Sequence, residues 1–60
     1  MDGNAIIVEI TEEIQCALKK VSDMVVMKNF GYNELPDDAK EKLADALYSL
    51  IAARDSLVSV

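Results

Sequence analysis

Apolar residues recur through the first half of the chain at spacings of three and four. Projected at about 100° per residue, Ile6, Ile7, Ile10, Ile14, Ala17, Leu18, Val21, Met24 and Val25 share one arc of roughly 120°, as in a core-facing helix. Glu9, Glu12, Glu13, Gln15, Lys19, Lys20, Ser22 and Asp23 fill most of the remaining circumference. Within the arc, Ile7, Ile10, Ile14, Ala17, Val21 and Met24 make a heptad seam. The pattern predicts a first helix over about 5–29, with Asn4 as N-cap, its side-chain oxygen accepting an orphan first-turn amide. Asn29-Phe30-Gly31-Tyr32-Asn33 reads as the stop, with Gly31 as the left-handed C′ residue and Tyr32 packing back on Met27.

The second half carries a different stripe. Ala39, Leu43, Ala46, Leu50, Ala53 and Leu57 alternate small and large at helical spacing, and Leu47 and Val58 widen that face. Pro36 suits a first helical position and disfavours helical geometry at Leu35, so the second helix is expected over about 36–58 after a turn at 30–35. Asp37, Asp38 and Glu41 then meet the positive end of the helix dipole. Ala44, Ile51 and Ala52 lie off the main stripe, giving this helix more apolar surface than one neighbour can cover. A competing reading makes Ala5 to Thr11 a strand, because that run is rich in β-branched residues.

Two helices of about 35 Å each can lie side by side as an antiparallel hairpin. The expected fold is all-α, one hairpin domain over residues 1–60. Such a pair leaves open an apolar face larger than soluble monomers usually expose. A second copy would cover it, making a homodimeric four-helix bundle, or further copies a higher homo-oligomer, in which folding and association are one event. Ile7, Ile10, Ile14, Ala17, Val21, Met24, Leu43, Ala46, Leu47, Leu50, Ala53 and Leu57 are the expected shared core. In element lengths and small/large layering the chain resembles the Rop-type bundle, an antiparallel dimer of helical hairpins. The likeness is one of architecture, and no functional residue carries across. The strand reading would instead resemble the ribbon-helix-helix repressors, but Glu9 would then face phosphates, and Ile and Val would stand where base-reading side chains are needed.

Composition narrows the chemistry. Apolar residues make up 52% of the 60, against 28% charged, which argues for a folded chain near the lower size limit for independent folding. Eleven acids outnumber six bases, for a net charge of -5, so nucleic acid is a disfavoured partner. The absence of histidine removes the usual general base and most zinc sites. Cys16 has no evident activating base beside it, and the two glycines form no phosphate loop. No catalytic, metal or cofactor site is expected. Neither a signal peptide nor an apolar run approaching the 18 or so residues of a membrane span is seen, and with one unpaired cysteine the expected compartment is the cytoplasm.

What remains is contact surface. Phe30 and Tyr32 at the turn, and Tyr48 and Ile51 on the second helix, are candidates for a partner surface. The expectation is a small non-catalytic interaction or regulatory protein that binds another protein through a dimeric bundle. The alternatives are a nucleic-acid-binding regulator, as a ribbon-helix-helix repressor or an RNA-binding bundle, and a structural oligomerisation module.

Overall fold

The computed structural model describes residues 2–59, so both ends of the expected 1–60 domain lie outside the described residues. Two helices, α1 (Gly3–Val25) and α2 (Asp37–Val58), pack against each other as a hairpin about a long axis of 44 Å. No strand occurs among the described residues. The β-branched run Ala5 to Thr11 is helical, which removes the ribbon that the repressor reading required. Helix propensity differs by only a few tenths of a kcal/mol between these residue types, so a long apolar stripe at helical period outweighs it.

α1 begins earlier than expected. Asp2, not Asn4, is the N-cap: its Oδ1 accepts the Asn4 amide at 3.1 Å, and its carbonyl accepts from Ala5 and Ile6. A carboxylate there satisfies an orphan donor and also meets the positive end of the dipole. The helix ends four residues earlier than expected, at Val25. The turn is therefore longer, running from Val26 to Pro36.

The termination also differs from the expected cap. Gly31 is left-handed (φ 74), but Lys28 (φ 60) and Phe30 (φ 59) already are. Lys28 reverses the chain, the Asn29 amide donates to the Asp23 carbonyl at 3.3 Å, and the Lys28 ammonium donates to the Val25 carbonyl at 3.0 Å. Orphan carbonyls are thus closed by a lysine at the helix C-terminus, where a cation is favoured. Met27 remains 65% exposed, and Tyr32 turns towards two lysines. A single 3₁₀ turn, η1 (Tyr32–Glu34), then leads into extended Leu35.

α2 follows its expected span to within one residue. Pro36 is the N-cap, its carbonyl accepting from the Lys40 amide, and Asp37 and Asp38 occupy the first turn. Asp38 also takes the Ala39 amide at 3.0 Å.

The interior is thin. Leu18, at 8% exposed, is the one buried hydrophobic among the described residues. Around it Ile7, Thr11, Ile14, Val21, Ser22 and Val25 on α1 are half-buried, as are Leu43, Leu47, Leu50, Ile51 and Leu57 on α2. Thr11 tolerates the interior stripe because its hydroxyl donates to the Ile7 carbonyl at 2.7 Å.

Candidate interaction surface

The stripe that meets α2 is not centred on the heptad seam. Half-burial peaks around Ile7, Thr11, Ile14, Leu18, Ser22 and Val25, one helical step away from Ile10, Ala17 and Met24. Ile10 is 42% exposed and Ala17 is exposed. Each side of the contact line therefore has a distinct edge.

One edge is polar. Arg54 Nη1 donates to Gln15 Oε1 at 3.2 Å, bridging α2 to α1, and the same guanidinium pairs with Asp55 at 3.2 Å. These groups are solvated, so the pair adds little stability and mainly marks the rotation of the two helices.

The other edge is apolar. The bridge places Arg54 and Asp55 beside Gln15, so the Ala39, Ala46 and Ala53 side of α2 adjoins the Ile10, Ala17 and Met24 side of α1. At the turn end this face deepens into an apolar groove of about 360 Å³ lined by Lys20, Val21, Met24 and Phe30. Phe30 stands at its lip, 70% exposed, with its backbone held left-handed.

The residues expected in the shared core fall on or beside this face. Ile7, Ile14, Val21, Met24, Leu43, Ala46, Leu47, Leu50, Ala53 and Leu57 are half-buried within one chain, while Ile10 and Ala17 are open. The four surface candidates separate. Tyr48 is 72% exposed on the outside of α2, and Ile51 is half-buried close to the hairpin contact. Tyr32 is committed to the turn: Lys28 Nζ lies 4.4 Å and Lys40 Nζ 5.4 Å from its ring centre. Phe30 alone of the turn aromatics is free to contact a partner.

Two features escaped the sequence pattern. The Lys28–Tyr32–Lys40 cluster had a partial signal, since Lys28 is four residues before Tyr32, but Lys40 joins only when the chain reverses. A second groove, at the far end, is lined by Ile7, Val8 and Thr11 of α1 with Leu57 and Val58 of α2. It exists because the hairpin brings the start of α1 level with the end of α2.

The chemistry is sparse. Cys16 is exposed, and no group of three or more Cys, Asp or Glu side chains that could hold a metal occurs among the described residues. No described helix is long and apolar enough to cross a membrane. Neither a family model nor a curated protein nor a solved structure matches this chain.

Proposed function

We propose that this chain is a small non-catalytic interaction protein with a regulatory role, which dimerises as a four-helix bundle and binds another protein through the bundle surface. The observation that carries this reading is the open apolar face of the hairpin, with Ile10, Ala17 and Phe30 uncovered and one side chain buried among the described residues. Catalysis needs a positioned acid, base, nucleophile or cofactor. Recognition needs a shaped apolar surface with a polar rim, and this hairpin has one.

The surface also favours protein over nucleic acid. Its acids and its net charge of -5 oppose a phosphate backbone. The free aromatics, Phe30 and Tyr48, are the residue types that anchor protein interfaces. Sedimentation equilibrium combined with circular dichroism tests the reading. At micromolar concentration the expected result is a helical dimer whose melting midpoint rises with concentration. A folded, stable monomer would remove the dimer and the reading built on it.

A further inference from the structure

The charge of the hairpin is divided along its length. The half that holds the turn, residues 19–42, has five bases (Lys19, Lys20, Lys28, Lys40, Lys42) and five acids (Asp23, Glu34, Asp37, Asp38, Glu41), and so carries no net charge. The opposite half, residues 2–18 and 43–59, sets Asp2, Glu9, Glu12, Glu13, Asp45 and Asp55 against Arg54 alone, which accounts for the whole net charge of -5. Arg54 is itself taken up by Asp55 and Gln15. The helix ends do not offset this charge. Asp2 caps the positive start of α1, and α2 finishes beside it with no base in its last turn.

At this acidic end lies the second groove, about 500 Å³, where Ile7 and Val8 of α1 meet Leu57 and Val58 of α2 and Glu12 joins the lining. Val8 is 56% and Val58 68% exposed, so the packing of the hairpin leaves most of their apolar surface to water. The groove is separate from the open face proposed for the dimer. Val8 and Gln15, seven residues apart, share a flank of α1, as Val58 and Arg54, four apart, share a flank of α2. The groove therefore continues the polar edge marked by the Gln15–Arg54 bridge, across the contact line from Ile10, Ala17 and Met24. A dimer formed on that other face leaves it uncovered.

An apolar slot in a field of carboxylates selects its occupant by charge. An acidic apolar segment would gain burial and be repelled, whereas a basic one gains both burial and attraction. Lysine and arginine suit such a rim because their aliphatic stems cover apolar surface while their charged heads reach the carboxylates. We infer that this groove docks a positively charged amphipathic segment of another protein, with aliphatic side chains against Val8 and Val58 and a lysine or arginine beside Glu12. This rests on the protein-binding reading above and adds the chemistry of the partner; it does not require the dimer.

The test uses the isotope-labelled full chain and two synthetic helical peptides, one with leucines at helical spacing and lysines elsewhere, the other with glutamates in place of the lysines. In an NMR titration at low salt, the lysine peptide should move the signals of Ile7, Val8, Leu57 and Val58, and the glutamate peptide should leave them in place. Added salt should weaken the lysine complex. Replacing both valines, Val8→Gln with Val58→Gln, should weaken it about tenfold or more. Circular dichroism should show helix content unchanged in that variant, because both side chains are exposed. Glu12→Gln should weaken the complex about threefold. Asp45→Asn, an equal change of net charge at an exposed position of α2 away from the groove, should leave it unchanged.

Shifts centred on Val21, Met24 and Phe30 or on Ile10 and Ala17, equal binding of the two peptides, or equal losses from Glu12→Gln and Asp45→Asn would each overturn the inference. Sedimentation of the same samples keeps it apart from the dimer. A dimer that binds neither peptide overturns the docking site and leaves the dimer standing, while a monomer that binds the lysine peptide in this groove removes the dimer and supports the site.

Discussion

Phe30 combines two costs. Its φ of 59 is a left-handed geometry that a bulky L-residue adopts at a cost of about 1–2 kcal/mol. Its ring is 70% exposed, so burial within the chain repays little of that. Glycine or asparagine would hold this backbone more cheaply. Phe30→Gly is therefore expected to change stability by no more than about 1 kcal/mol in either direction, as relief of the left-handed strain is offset by the greater freedom of glycine in the unfolded chain. Urea denaturation of the isolated protein measures this. The same variant should bind a partner protein more weakly, as expected where strain is retained for contact. Lys28, at φ 60, is different because its ammonium is used twice, on the Val25 carbonyl and on the Tyr32 ring.

Each helix is held at its ends by different means. α1 starts on a side-chain cap, so Asp2→Ala should lower stability by about 1 kcal/mol and speed amide exchange in the first turn, which NMR exchange rates would reveal. α2 starts on Pro36, which has no side-chain cap, and relies on first-turn acids. The spacing of Ile7, Ile14, Leu18 and Val25 and the signal at Leu35-Pro36 made both helices and their order legible in the sequence. The end of α1 was not legible, because Val26 and Met27 continue the apolar pattern and only the reversal at Lys28 breaks it. Glycine is the residue expected at φ > 0, so Gly31 drew the predicted reversal three residues past the actual one at Lys28. The open face was legible as excess apolar surface. Its boundary was not, because which flank α2 covers depends on rotation about the helix axis, which is set by close packing at Leu18 and marked by the Gln15–Arg54 bridge.

At the scale of the whole molecule the hairpin is a rod, 44 by 16 by 15 Å, with little interior. Chains of this size bury a smaller share of their surface than larger domains and depend on association, metals or disulfides for stability. Cys16 has no second cysteine to pair with inside the chain, and no metal-binding cluster is found among the described residues. The dimer proposed above would supply the missing burial. Leu50→Asp places an unpaired charge in the middle of the α2 stripe, which is expected to cost several kcal/mol. Ultracentrifugation should show the dimer lost, and circular dichroism should show helix content lost with it, in one transition. A folded Leu50→Asp monomer would mean that the stripe is not shared between chains.

That Leu18 is the one buried side chain among the described residues bears on how long the molecule survives. A chain with so small an interior opens often, and proteolysis of a briefly opened protein follows the population of its open form. Whatever occupies the apolar face lowers that population in proportion to how far its concentration exceeds its dissociation constant. The amount of this protein in a cell should then track the supply of its binding companion, with unaccompanied copies cleared by turnover, so that abundance is regulated after synthesis with no modification of the chain.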